Sequence, residues 1–233
     1  MQIETKLDNL LNIGGILKFS TLDYPGKLSS VIFCQGCPNR CVYCHNPEFI
    51  PFRDCEDNKY NKVLEFLDTR RGLLDAVVFS GGEPLMQVGL QDAMKRIKEM
   101  GFLIGLHTSG YNSEKFSEVI GLTNWVGFDI KTVFNKYKDI TQNEPSGVMA
   151  ETSFNRLIHS NISYEIRTTF DSRYITFDDL KQIAYMLKEK GVTKWIVQEC
   201  ILRDENKVQK LDMIKEDEIK ILNAVINVEI RRQ

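Results

Sequence analysis

The chain has 233 residues and a mass of 26.9 kDa, with 42% hydrophobic and 27% charged residues, an ordinary balance for a globular domain with one substantial core. Its 30 basic and 32 acidic residues leave a net charge of −2 and a pI near 6.0, so no broad basic field exists to draw in nucleic acid or an anionic membrane. No window approaches the roughly 20 apolar residues of a membrane span and no export segment is read, so a cytoplasmic protein is expected.

Hydrophobic periodicity divides the chain into strand-length apolar runs separated by amphipathic helical stretches. A hairpin-like lead-in over about 14–28 comes first, with its turn at Tyr24-Pro25-Gly26-Lys27. Strands are predicted at 29–34, 76–80, 103–108, 125–130, 163–170 and 194–199, with helices between them near 60–71, 90–100, 114–120, 150–160 and 177–190. Gly101 and Gly191 each follow an amphipathic run, where a helix C-terminal cap belongs. The tail, about 203–233, reads as helical, with Arg203 to Lys220 forming a solvated loop and helix face. This β/α alternation predicts one domain, 1–233, on a parallel sheet wound by helices. Six units are too few for a closed eight-stranded barrel, and the repeat alone does not choose between an arc and a flat doubly wound sheet.

Six cysteines are present, and three of them fall at Cys37-x3-Cys41-x2-Cys44, just after the strand at 29–34. Cys34, Cys55 and Cys200 are scattered, so a reducing compartment fits better than a disulfide framework. Cluster irons are normally held by four cysteines. A set of three leaves one iron open to bind and reduce a small chelating molecule, which points to catalysis rather than electron storage. Three other uses compete. Cys41-Val42-Tyr43-Cys44-His45 matches the attachment signature of c-type haem, which requires export. Cys34, Cys37, Cys41 and Cys44 would make a four-thiolate zinc set, although structural zinc sites tend to hold two separated pairs. Cys34-x2-Cys37 has thiol-exchange spacing, although Pro38-Asn39 favours a loop where such pairs usually open a helix. Cys34 itself is expected to end its strand as a small buried side chain.

The run Phe33-Cys34-Gln35-Gly36-Cys37-Pro38-Asn39-Arg40-Cys41-Val42-Tyr43-Cys44-His45-Asn46-Pro47 resembles the cluster loop of radical S-adenosylmethionine (SAM) enzymes. The lead-in Phe19-Ser20-Thr21-Leu22-Asp23-Tyr24-Pro25-Gly26-Lys27 is similar to the branch that activates anaerobic ribonucleoside-triphosphate reductase. The resemblance runs from about Gly14 to about Glu199 and is most specific at the cysteines. It implies an α/β fold, a partial (β/α)6 barrel of parallel strands open on one side. It also implies a [4Fe-4S] cluster on Cys37, Cys41 and Cys44, with Tyr43 among the cofactor-binding residues. The open iron would chelate the amino and carboxylate groups of SAM, and reductive cleavage would give methionine and a 5′-deoxyadenosyl radical.

Ligands of parallel β/α folds collect at the carboxyl ends of the strands, and the unusual residues fall there. In Ser80-Gly81-Gly82-Glu83-Pro84 two glycines allow close backbone approach and Pro84 stiffens the exit. In isolation this is an ordinary glycine turn. Beside the cysteine loop it resembles the motif that binds the SAM amino group, with backbone carbonyls and Glu83 suited to an ammonium. The strand at 103–108 ends at Thr108, followed by Ser109 and the flexible Gly110, and the hydroxyls of Thr108 and Ser109 belong with the cofactor set. Its His107 stands where the enzymes this chain resembles tend to carry aspartate. That departure speaks against an alkali-metal site and leaves His107 as either a hydrogen-bonding core residue or a functional one. Asp129 and Lys131, two apart, project to one face as a surface ion pair or, as the resemblance implies, as catalytic contacts to SAM and a glycine-bearing peptide. Arg167 lies within a strand and needs a partner, either the SAM carboxylate or Glu165 on the same face. Gln198 is placed near the adenine.

The resemblance implies removal of a hydrogen atom from a glycine α-carbon of a partner glycyl-radical enzyme, in particular anaerobic ribonucleotide reductase. A flavodoxin or ferredoxin would supply the electron, because the chain has no nicotinamide- or flavin-binding glycine motif. Two alternatives stay open. One is radical chemistry on another peptide or a small molecule; the other is a zinc-stabilised binding module without catalysis.

Overall fold

The computed structural model describes residues 11–55, 60–200, 202–204, 207–209 and 211–232. Its lead-in is a hairpin in which β1 (Ile13–Ser20) pairs antiparallel with β2 (Ser29–Cys34), placing Ile16 opposite Ile32. The turn closes where Lys27 N donates to Tyr24 O at 3.1 Å, and Gly26 takes φ +68° after Pro25, the position that favours glycine.

Strand and helix then alternate. The strands β3 (Ala76–Gly81), β4 (Leu103–Thr108), β5 (Trp125–Asp129), β6 (Ser163–Phe170) and β7 (Lys194–Glu199) add to β2 in sequence order, all parallel. The connections carry α1 (Tyr60–Asp68), α2 (Leu90–Glu99), α3 (Ser113–Val119), α4 (Tyr137–Thr141), α5 (Ser146–Ile158) and α6 (Phe177–Glu189). Gly101 and Gly191 follow α2 and α6 at φ +96° and +78°, as helix-terminating glycines do. Beyond β7 lie a small hairpin, β8 (Leu202–Asp204) with β9 (Lys207–Gln209), then α7 (Glu216–Asn223) and β10 (Asn227–Arg231). No helix among the described residues is long and apolar enough to cross a membrane.

The result is an open, mostly parallel sheet of eight strands, in the order β1-β2-β3-β4-β5-β6-β7-β10. It exceeds the six expected parallel strands by one, because β10 pairs parallel with β7. The tail expected to be helical over about 203–233 is therefore helical only at α7 among the described residues. Asn227-Val228-Glu229-Ile230-Arg231 alternates polar and apolar, and a period of two suits a strand at a sheet edge. Val228 is buried, while Glu229 and Arg231 pair with Lys194 and Glu165.

Alternation along each strand makes two cores. Ile32, Cys34, Val77, Phe79, Val126, Phe128, Ile166 and Val197 pack under the helices. On the other face Val31, Ala76, Val78 and Trp125 form a smaller core with Tyr24 from the lead-in turn, whose ring centroid lies 5.3 Å from that of Trp125. Gly105 gives Tyr24 its space: a Cβ there would stand 3.1 Å from Cδ2 of that ring. The turn thus covers the face of the sheet that carries this smaller core.

Candidate active site

The cysteine loop leaves β2 through Gly36, at φ +101°, and is held by backbone bonds from Gly36 N to Phe49 O at 2.8 Å and Cys37 N to Ile50 O at 3.0 Å. The end of β3 docks directly on it, with Gly82 N donating to Cys34 O at 2.9 Å and Glu83 N to Gly36 O at 3.0 Å. A Cβ on Gly81 would stand 2.5 Å from Cys34 N, and one on Gly82 would stand 2.5 Å from Gly36 O. The paired glycines therefore serve contact between two backbones, a requirement beyond the approach of a ligand expected from sequence.

A cavity of about 370 Å³ opens at the carboxyl ends, and Cys37, Cys41 and Cys44 share its wall. Cys34 is fully buried on the helix side, where burial pushes its thiol far above the usual range, so it does not complete a four-thiolate set. Among the described residues, no three His, Cys, Asp or Glu side chains converge as the ligands of a single ion would. Cys37, Cys41 and Cys44, which line one cavity, would instead each hold a different iron of a cluster and leave its remaining iron to a further ligand. Burial, with Glu83 next, pushes the Cys37 thiol up to about 12, and burial raises that of Cys41 against the pull of Lys131. Metal must bind these groups as thiolates, so it would displace their protons.

Glu83 is 1% exposed and joins the walls. Its Oε1 accepts from Thr108 Oγ1 at 2.6 Å and Leu85 N at 3.2 Å, and its Oε2 from Ser109 N at 2.9 Å and Ser109 Oγ at 2.6 Å. Burial raises its pKa while these four bonds oppose the rise. Every acceptor position is taken, so a ligand ammonium would have to displace one of these donors or bind the neighbouring backbone carbonyls. Pro84 opens the short 3-10 turn Pro84–Met86 and is buried behind the wall; of the expected site residues it alone does not face the cavity.

His107 is hydrogen-bonded, as expected of a core residue, and also lines the cavity. Its Nε2 donates to Asp23 O at 2.9 Å, which leaves Nδ1 to accept from Ser80 Oγ at 3.5 Å, and its ring meets Trp125 edge-on at 5.4 Å. Burial first, then the Arg167 charge, hold its pKa down at about 3, so the ring is neutral. Through that bond the lead-in loop is tied to the cavity, and Asp23 joins its wall.

Asp129 and Arg167 are register partners on β5 and β6, and Arg167 Nε donates to Asp129 Oδ1 at 2.9 Å. Lys131 Nζ reaches Asp129 Oδ2 at 3.2 Å. Burial works against charge on Asp129, but Arg167 and Lys131 outweigh it and hold the carboxyl well below the usual range. Burial likewise opposes the Lys131 charge, and Asp129, Tyr43 and Cys41 together outweigh it and raise its pKa. Gly127 makes room for the guanidinium, since a Cβ there would lie 2.8 Å from Arg167 Cζ. The alternative partner Glu165 is engaged elsewhere: Arg231 grips both of its oxygens at 3.0 Å. Lys131 Nζ stands 6.0 Å from the centre of the Tyr43 ring, whose buried hydroxyl has no hydrogen-bond partner among the described residues and so suits a polar ligand atom. Gln198 and Thr169, register partners on β7 and β6, complete this side.

Sequence reasoning missed Asp23, Asn39, Ser80 and Thr169 in the wall. Ser80 and Thr169 were within reach, because strand alternation puts Thr169 on the face of Arg167 and Ser80 on that of Val78. Asp23 and Asn39 carried no such signal, since loop closure places them.

The radical SAM superfamily matches residues 31–215, and the chain belongs to that superfamily, whose chemistry uses a [4Fe-4S] cluster and SAM. A provisionally named glycyl-radical enzyme activating enzyme of Methanocaldococcus jannaschii is 33% identical over 227 residues, covering 91% of this chain and 90% of that one. Within the superfamily the chain is therefore a member of the glycyl-radical enzyme activating family. The pyruvate formate-lyase-activating enzyme of Clostridium pasteurianum is 36% identical over 135 residues, 55% of this chain and 56% of its own. The crystal structure of Streptococcus suis SuiB bound to S-adenosylmethionine shares the fold, with a TM-score of 0.63 at 11% identity over 84% of this chain and 48% of that one.

Proposed function

We propose that this protein activates a cytoplasmic glycyl-radical enzyme, in particular anaerobic ribonucleotide reductase, by removing one glycine α-hydrogen. The observation that carries the reading is that the three loop cysteines and the Asp129, Lys131 and Arg167 charges border one cavity at the carboxyl ends of the strands. Cys37, Cys41 and Cys44 would hold the cluster. Tyr43, Gly81, Gly82, Glu83, Thr108, Ser109, Arg167 and Gln198 would frame SAM, with Pro84 stiffening the loop from behind. When bound, the cluster supplies the electron that splits the sulfonium into methionine and a 5′-deoxyadenosyl radical, a flavodoxin or ferredoxin having delivered it. Asp129, held ionised between two cations, would orient the cofactor, and Lys131 would meet the incoming peptide.

The cavity lies at the small end of the roughly 300–1,000 Å³ range of ligand pockets. A cluster and SAM would occupy it, so the hydrogen donor has to arrive at the mouth. That favours a macromolecular substrate over a small molecule. The choice of reductase rests on the lead-in Phe19-Ser20-Thr21-Leu22-Asp23-Tyr24-Pro25-Gly26-Lys27, which is tied to the cavity wall through the Asp23 to His107 bond. Electron paramagnetic resonance of the reduced protein mixed anaerobically with the reductase and SAM should give a glycyl doublet. If 5′-deoxyadenosine forms without a doublet, the chemistry stands and the substrate is another one. Zinc without iron or sulfide after anaerobic purification would reject the enzyme reading altogether.

A further inference from the structure

Between Cys37 and Cys44 the chain forms neither helix nor strand, and its own bonds include Cys44 N to Cys41 O at 3.0 Å and Arg40 Nη1 to Cys37 O at 2.7 Å. Beyond these and the Ile50 bond at its start, it is braced by residues 140–143. Arg40 N donates to Thr141 O at 2.7 Å and Val42 N to Ile140 O at 3.1 Å, so both amides flanking Cys41 are held by the end of α4. Asn143 then turns back on the loop, and its Nδ2 donates to Pro38 O at 3.1 Å and to Asn39 Oδ1 at 3.2 Å.

Gln142 makes that return geometrically feasible. It caps α4 at φ +53°, the one non-glycine residue with positive φ among those described, and its N donates to Lys138 O at 2.9 Å. A left-handed glutamine costs free energy that ending a helix does not require, and such outliers persist where the surroundings over-determine them. The backbone of Asn143 is fixed on both sides, by its own N–H to Thr141 Oγ1 at 3.3 Å and by Ser146 Oγ to its carbonyl at 2.6 Å. The chain of contacts continues into the cavity wall: Asn39, 3% exposed, reaches Ser109 Oγ at 3.5 Å, and Ser109 donates to Glu83.

We propose that Asn143 is the positioning residue of the cluster seat: its carboxamide, presented by the left-handed turn at Gln142, fixes the Cys37–Cys41 segment and couples it to the Ser109–Glu83 wall where SAM binds. This rests on the reading of Cys37, Cys41 and Cys44 as the ligands and is independent of which partner is activated. A preformed seat costs less ordering when the cluster and cofactor arrive.

The test compares Asn143→Ala, Gln142→Val and Gln142→Gly in the full chain. In metal-free protein, hydrogen exchange at Arg40 and Val42 is expected to quicken about tenfold in Asn143→Ala and Gln142→Val, the factor corresponding to one net hydrogen bond. Gln142→Gly keeps wild-type protection, because glycine takes a positive φ freely. After reconstitution the first two variants should release iron to a chelator faster, and SAM should shift their reduced-cluster paramagnetic resonance signal differently from wild type. Wild-type exchange and iron release in Asn143→Ala would overturn the proposal. So would lowered stability with an unaltered SAM-induced spectral shift, which a purely structural role predicts. Should Asn143→Ala fail to fold, the two Gln142 variants decide, and equal iron release from them also overturns it. Failure of the ligand reading is separate: Cys41→Ser would then retain its iron.

Discussion

Asp129 holds a negative charge in the wall because two cations share it, and removing either leaves the carboxylate short of a partner. Arg167 is 12% exposed and Asp129 31%, so the pair lies between a surface bridge and a buried one. Arg167→Leu is expected to cost about 1–3 kcal/mol in urea unfolding of the metal-free protein, below the 3–5 of a fully buried pair because water still reaches Asp129. His107 gives the pH dependence. Its folded pKa of about 3 lies below the unfolded value of roughly 6.5, so its contribution to stability is complete above about 6.5. As pH falls through that value the unfolded chain takes up a proton that the folded chain refuses, and stability drops towards a limiting slope of about 1.4 kcal/mol per pH unit. Unfolding measured from pH 7 to 5 should show this loss, and His107→Gln should flatten it. At the cysteines, Cys41→Ser should abolish cluster content while Cys34→Ser leaves it nearly unchanged by iron and sulfide analysis. Equal loss in both would mean a different ligand trio.

The elements follow from local patterns wherever those patterns run long enough. β2, β4, β6 and β7 lie at the bounds expected from sequence, because each is a bounded apolar or alternating run. α4 and β10 were not legible: five residues each give too few periods to stand out, and tertiary contacts decide them. α6 begins with a capping box in which Thr176 Oγ1 accepts from Asp179 N at 3.2 Å and Asp179 Oδ2 accepts from Thr176 N at 3.0 Å. Thr176→Ala should cost about 1 kcal/mol, read as a lowered urea midpoint with an unchanged slope. Gly82→Ala should cost more, about 1–3 kcal/mol or above, since its methyl would press on two carbonyl oxygens that have no room to move. The same measurement checks it, and a neutral result would mean that the β3 loop can shift away from the cysteine loop.

At the scale of the molecule, the site was largely legible because strand ends converge in parallel β/α folds, so residues far apart in sequence could be grouped before any coordinates. What sequence did not supply was the division of labour within the group. Arg167 chose Asp129 over Glu165 because β10, itself unforeseen, brought Arg231 to Glu165. Glu83 became a brace between two loops because Thr108 at the end of β4 and Ser109 just beyond it reach it.

The Tyr24 ring wedged against Trp125 has a kinetic corollary. With that face filled by Tyr24 and Trp125, a partner docked at the strand ends in the proposed reaction would cover the mouth through which SAM enters. SAM would then load first and methionine would leave last, and a partner supplied in excess should slow methionine appearance.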